Sequence, residues 1–188
     1  RGVVEARGAW IAMQDADDLA HPQRLEKLMA AVDREPDLGG VMSGYELILE
    51  GRHVAPVMKG LGPDACREAI ARFRMPSHDP TIMFSRCLGL QLRFDEELPI
   101  VEGLDFILRL GERYPIRVIP DVLYSYRIED SSVTRNDPPR RQALLARTLE
   151  LACNRRGVEF EHRFPILAGK EPATIDEDNG LHKHFLES

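Results

Sequence analysis

Four apolar residues in a row, Trp10, Ile11, Ala12 and Met13, run through Gln14 into Asp15, Ala16, Asp17 and Asp18. A short continuous apolar run with polar borders is the pattern of a strand covered on both faces, so the acids fall at its carboxyl end. Pro22 then suits a first helical turn, and Leu25, Leu28, Met29 and Val32 follow at the i, i+3, i+4, i+7 spacing of an amphipathic helix that stops before Pro36. Strand, acidic turn and helix in that order point to an α/β fold with chemistry at the strand end.

The rest of the chain fits that class. Gly39 to Leu49 reads as a second strand, Glu50 to Arg52 as a turn into a short return segment through Val57, and Lys59 to Pro63 as a Gly-rich loop. Asp64 is a candidate cap for a helix with Ala65, Ala69, Ile70 and Phe73 on one face, stopped by Pro76. The loop Met75 to Pro80 leads into Thr81 to Phe84. A helix is expected from about Gly103 to Glu112, with Leu104, Ile107, Leu108 and Gly111 inward. Arg117 to Tyr126 reads as the last strand, broken at Pro120 and Asp121. Pro138 and Pro139 open a long helix to about Arg155, with Leu144, Leu145, Thr148, Leu151 and Ala152 on one face. Beyond Gly157 the periodicity fades, and the charged tail from Lys170 is expected to be mobile.

With 188 residues, 43% of them hydrophobic, the chain can bury a real core. A net charge of -6 provides no summed positive field for nucleic acid or anionic lipid. No apolar run approaches the roughly 18 residues needed to cross a bilayer, and the chain reads as cytoplasmic. Cys66, Cys87 and Cys153 are odd in number and form no C-x-x-C pair, so they read as reduced and structural.

Carboxylates crowded at one strand end repel one another unless a cation or hydrogen-bond donors neutralise them. A hard divalent ion, Mg²⁺ or Mn²⁺, takes oxygen ligands and keeps positions open for phosphate oxygens. The competing reading is structural, with the same acids favouring the positive N-terminal end of the following helix. The motif alone does not separate the two.

The longer run ARGAWIAMQDADDLAHPQRLEKLMAAV resembles the second motif region of family 2 glycosyltransferases of the GT-A fold. DLGGVMSGYELI, SHDPTIMFSR, FDEELPIVEGLDFILRL and VIPDVLYSYRIEDSSVTR resemble later segments of that family, in the same order. The resemblance covers residues 1–135 as the C-terminal part of a GT-A domain, with 136–188 as a helical extension and tail. It implies a partial GT-A, Rossmann-like mixed sheet flanked by helices. By the same resemblance, Asp15 faces the nucleotide, Asp17 ligates a divalent metal bridging the donor's diphosphate, and Asp18 is either a ligand or a helix-capping group. The expected partners are a nucleotide sugar such as a UDP-sugar and a glycan or lipid-linked acceptor. A non-catalytic sugar-nucleotide or partner-binding relative is the rival reading, and a metal-dependent nucleotidyltransferase a third.

The sequence departs from the family pattern twice. The family places its catalytic base, usually an Asp, in a line resembling E-D-x-D-x-x-x-R-L; here Gly103 stands at that position, leaving Glu102 or Asp105 as surrogates, or an inactive site. Against both acids stands the stabilisation any carboxylate finds in a first helical turn, and Asp105 with Arg109 is also an i, i+4 pair. In YRIEDSSVT, Glu129 occupies a place where relatives often carry a His; a Glu still ligates a hard ion but cannot donate to phosphate. Arg127 and Arg135 are the better phosphate partners by chemistry, against the plain surface role of a lone Arg near a strand end. His78 and Asp79, beside Pro80, either line the acceptor side or face solvent. His21 is expected to help start its helix, His182 and His184 lack supporting ligands, and Trp10 is most simply core.

The GT-A fold also begins with a strand, helix and strand unit that holds the base and ribose, expected to precede Arg1. Without it, the internal parallel strand Trp10 to Met13 is expected to expose a sheet edge, bind sugar nucleotide poorly and self-associate.

Overall fold

The computed structural model describes residues 1–54, 59–128 and 137–169. A four-residue helix, α1 (Gly2–Glu5), precedes β1 (Trp10–Ala12), β2 (Leu19–Ala20), α2 (Arg24–Arg34), β3 (Gly40–Leu49) and β4 (Arg52–Val54). Then come α3 (Pro63–Ala71), a 3-10 turn (Asp79–Thr81), β5 (Met83–Ser85), α4 (Arg86–Leu92), α5 (Glu102–Gly111) and β6 (Ile116–Arg127). Two further helices, α6 (Pro138–Arg156) and α7 (Phe160–Arg163), close the described chain.

The strands form one mixed sheet in the order β1-β5-β3-β6-β2, with β4 also on β3. Among the described strands only β3 and β6 run parallel. Their register shifts after Ser43 and again after Gly44, so that Ile119 and Val122 face consecutive residues of β3. Pro120 and Asp121 are the extra residues at the first shift, as expected of a Pro that cannot donate to a ladder, and Leu123 is the extra residue at the second.

Alternation along the strands divides the core. Val41, Met83 and Leu123 pack with Leu28, Ala31 and Val32 of α2 on one face. Met42, Ile82 and Phe84 pack with α3, α5 and α6 on the other. The period of two along a pleated strand makes this division inevitable. In β1, Trp10 and Ala12 join the α2 side while Ile11 and Met13 join the opposite one. Both faces are therefore partly covered. The strand pairs antiparallel with β5, which corrects the expected parallel direction, and it ends the described sheet, so its other edge is open as expected for this chain.

Helix α5 is buried almost all round, with Leu104, Asp105, Phe106, Ile107, Leu108 and Leu110 inside. The stacked rings of Phe106 and Phe94, 4.4 Å apart, extend its packing. Gly111 is less an inward residue than a point of close approach, since a Cβ there would lie 2.7 Å from Ile70 Cγ1. On α3, Cys66 rather than Ala65 is buried with Ile70, and Gly62 is the N-cap with Pro63 entering first, so Asp64 is a first-turn acid and not the cap. Burial pushes the Cys66 thiol up to about 11, which keeps it unreactive. Helix α6 follows the proline signal, with the Asp137 side chain accepting from Arg140 N and Gly157 left-handed at its end. Its Leu145, Leu149, Ala152 and Cys153 belong to the larger core, so this helix is built into the same packed body as the sheet.

Candidate functional site at the end of the first strand

The acidic turn leaves β1 where β5, α2 and β6 converge. Met13 N donates to Ile82 O at 3.0 Å, extending the β1 and β5 pairing by one residue. The turn is then held from α2 by Arg24, which is only 3% exposed. Its Nη2 donates to Met13 O at 2.7 Å and Pro80 O at 2.6 Å, and its Nη1 to Gln14 Oε1 at 3.0 Å. The guanidinium also lies 4.8 Å from the Tyr124 ring centroid. One buried cation thus fixes the strand end to the loop carrying His78 and Asp79.

The three turn acids have different surroundings. Asp15 N donates to the Tyr124 hydroxyl at 3.1 Å, which anchors the start of the turn to β6. Asp18 is buried, and its Oδ1 accepts from Arg127 N at 2.8 Å. That bond closes the end of β6 onto the turn, so Asp18 organises a strand terminus and does not cap α2. Its Oδ2 is buried without a hydrogen-bond partner among the described residues. Asp17 is exposed. Asp15, although open to solvent, is held above its ordinary range, first by loss of hydration and then by the charges of Asp79, Asp18 and Asp17.

Asp79 and Glu102 extend the acidic cluster. Burial pushes the Asp79 carboxyl up to about 6, and Glu102 and Asp18 add to the rise by like charge. Its side chain keeps 39% exposure. His78 Nδ1 lies 3.3 Å from Asp79 Oδ1, and its ring sits between Tyr45 and Tyr126 at centroid distances of 4.9 and 4.6 Å. Burial holds the imidazole below its ordinary value, toward the neutral form. Glu102 Oε2 is buried without a partner among the described residues.

The Asp79 shift has a signed consequence. Its carboxyl titrates near 3.8 when unhindered and about 6 when folded, so the folded protein binds more protons between those values. Stability must therefore decline as pH rises through that window, and the penalty is complete above it. Asp79→Asn is expected to raise the melting temperature at neutral pH, with the gain shrinking to nothing near pH 4. Thermal melts of both proteins across that range check it; a gain that persists at pH 4 would exclude this origin.

The other sequence candidates separate. Glu102 stands with the acidic turn through Asp79. Asp105 is 2% exposed and turned into a different cleft, lined by Leu92, Phe94, Leu151 and Arg155. There Arg109 Nε donates to it at 2.7 Å, and Arg155 Nη1 lies 3.5 Å away. Those bonds make it a structural acid between α4, α5 and α6. Arg127 stands at the acidic turn through its backbone, and its buried Nε has no partner among the described residues. Glu129 and Arg135 lie outside the described residues. Sequence reasoning missed Arg24 and Tyr124; neither carries a signal distinguishing it from surface or core residues on the same elements.

No group of three or more His, Cys, Asp or Glu among the described residues is arranged to hold a metal ion. The donor set does suit an ion that takes part of its shell from a bound diphosphate. Asp18 Oδ2 is already desolvated and without a hydrogen-bond partner among the described residues, and the neighbouring carboxylates repel one another.

Residues 1–88 match the model of glycosyl transferase family 2. Over 133 residues the chain is 30% identical to an uncharacterized glycosyltransferase of Methanocaldococcus jannaschii, covering 68% of this chain and 45% of that protein. Over 150 residues it is 31% identical to the succinoglycan biosynthesis protein ExoO of Rhizobium meliloti, covering 71% and 42%. The chain thus spans less than half the length of these curated relatives. The crystal structure of S. aureus TarS 1-349 superposes with a TM-score of 0.56 at 20% identity, over 88% of this chain and 47% of that one. At that identity the likeness shows the fold alone, a GT-A-like mixed sheet flanked by helices.

Proposed function

We propose, from the match of residues 1–88 to the model of glycosyl transferase family 2, that the protein moves a sugar from a nucleotide donor, such as a UDP-sugar, to an acceptor hydroxyl. The acceptor is a saccharide or a lipid-linked saccharide, in keeping with the relative whose name places it in succinoglycan biosynthesis. The reaction is metal-dependent and inverting. The observation that carries this reading is the acidic turn itself, where a buried Asp18 oxygen without a partner among the described residues stands among mutually repelling carboxylates.

Asp17 and Asp18 would hold the ion, with Asp15 toward the nucleotide and Arg127 toward the phosphates; Glu129 and Arg135 remain candidates beyond the described residues. Bound Mn²⁺ or Mg²⁺ supplies Lewis-acid stabilisation of charge gathering on the departing nucleoside diphosphate. The Arg24 clamp keeps the β1 end and the Asp79 loop at fixed separation, so donor and acceptor meet in one orientation. A carboxylate on the acceptor side takes the hydroxyl proton as the oxygen attacks the anomeric carbon.

The test is product analysis of the purified protein with a panel of UDP- and GDP-sugars, saccharide acceptors, and either Mn²⁺ or EDTA. Acceptor-dependent release of nucleoside diphosphate that EDTA abolishes is the expected result. Pyrophosphate release would point instead to nucleotidyl transfer. Donor binding without any product would identify a non-catalytic relative.

A further inference from the structure

The backbone of α5 at Gly103 and the carboxylate of Asp79 occupy a shared space. A Cβ placed on Gly103 would lie 2.1 Å from Asp79 Oδ2, 2.9 Å from its Cγ and 3.0 Å from its Cβ. No real Cβ tolerates a heavy atom at the first of these distances, and here the intruding atom is a carboxylate oxygen. Gly103 is helical and its φ requires no glycine, so backbone conformation does not explain the missing side chain. The absence of a side chain is what lets Asp79 reach across to α5.

The loop that carries Asp79 is held in place. Asp79 opens a 3-10 turn whose Thr81 Oγ1 donates to His78 O at 2.6 Å, while Pro80 O accepts from Arg24. Ser77 Oγ donates to Ser43 O at 2.7 Å and ties the same loop to the central strand. The loop is thus fixed relative to the acidic turn, while the Asp79 side chain keeps 39% exposure. Asp79 shares like charge with both groups: Asp15 of the turn is raised by Asp79, and Asp79 by Glu102 and Asp18.

We propose that Asp79 is the catalytic base of the transfer, its carboxylate filling the space over Gly103 where a side chain of α5 would otherwise stand. The proposal rests on the sugar-transfer reading above. Asp79 takes the proton of the acceptor hydroxyl, and the freed oxygen pair forms the bond to the anomeric carbon. The bond from that carbon to the diphosphate oxygen breaks, and its electron pair leaves with the nucleoside diphosphate. Glu102 acts as a neighbouring charge that keeps Asp79 basic, and is not itself the base.

Four variants of the protein test this in the assay above, with UDP titration calorimetry as a second readout. Asp79→Asn is expected to lower kcat by about 100-fold or more while changing donor KM and UDP affinity less than about threefold. Gly103→Ala should lower kcat at least about tenfold with Asp79 still present, because the new Cβ displaces the carboxylate. Asp79→Ala combined with Gly103→Asp returns a carboxylate to the same space from the other segment, and should exceed Asp79→Ala alone by at least about tenfold in kcat. Circular dichroism and melting temperature confirm that each variant is folded. Asp79→Asn retaining more than about a third of wild-type kcat would overturn the proposal, as would an equal loss in kcat and UDP affinity. A folded double variant no better than Asp79→Ala would also overturn it. A full-length protein carrying this chain that releases nucleoside diphosphate while its Asp79→Asn variant matches it sinks only this assignment; a full-length protein inert toward every donor sinks the sugar-transfer reading as well.

Discussion

Asp17→Asn is expected to reduce nucleoside diphosphate release by two orders of magnitude or more while leaving the melting temperature nearly unchanged. Asp17 is exposed and no described contact within the protein depends on its carboxylate, so stability has little to lose. Activity has much to lose, because a bound divalent ion contributes several kcal/mol of charge stabilisation at the leaving group, and each 1.36 kcal/mol is about tenfold in rate. The Mn²⁺ concentration for half-maximal rate should rise in parallel. Asp18→Asn offers the contrast. That residue also accepts from Arg127 N, so the same substitution there should lower both rate and melting temperature. An Asp17→Asn protein with normal rate and unchanged metal dependence would rule Asp17 out as a ligand and shift the role to Asp15 and Asp18.

That contrast could not be drawn from sequence. The apolar run, the acids after it and the helix periodicity identified the strand, the turn and α2, because each element is short-range and its pattern repeats within a few residues. The same information is blind to strand direction, since a period of two serves parallel and antiparallel neighbours alike, and β1 turned out to pair antiparallel with β5. Helix α4 was missed because it spans two turns and its Gly89 lies against Phe84, leaving little amphipathic signal. The two-residue strand β2 is defined only by its partner β6. Candidate acids were visible as residue types, yet their roles depended on long-range partners. Arg109 and Arg155 assign Asp105 to packing, and Asp79 and Gly103 meet across two segments that no local motif connects. Gly103 looked like a defect in a catalytic line; in three dimensions it is the space that a carboxylate from another loop enters.

Arg24 is the residue whose loss should damage the site most through structure, and it was hidden in sequence as an ordinary polar residue of a helix's first turn. Its guanidinium serves two backbone carbonyls and a glutamine oxygen while being almost wholly withdrawn from water. Withdrawal lowers its pKa from the usual arginine value, and the Tyr124 and Asp15 side chains offset that in part. Replacing it with Met removes the cost of burying a cation, but strands Met13 O and Pro80 O, and each buried carbonyl left unpaired costs about 1–3 kcal/mol. The net loss expected for Arg24→Met in urea unfolding is about 2–5 kcal/mol. Arg24→Lys should recover little of it, since a single ammonium lacks the planar fork that reaches both segments at once. The functional loss should exceed what unfolding explains, because the β1 end and the Asp79 loop would no longer be held together. At a temperature where Arg24→Met is fully folded, kcat should still fall at least about tenfold, the penalty of misaligned reactants. Unchanged stability in Arg24→Met would show that the two carbonyls find other donors, and a normal kcat in a destabilised protein would show that the clamp serves the fold without positioning the site.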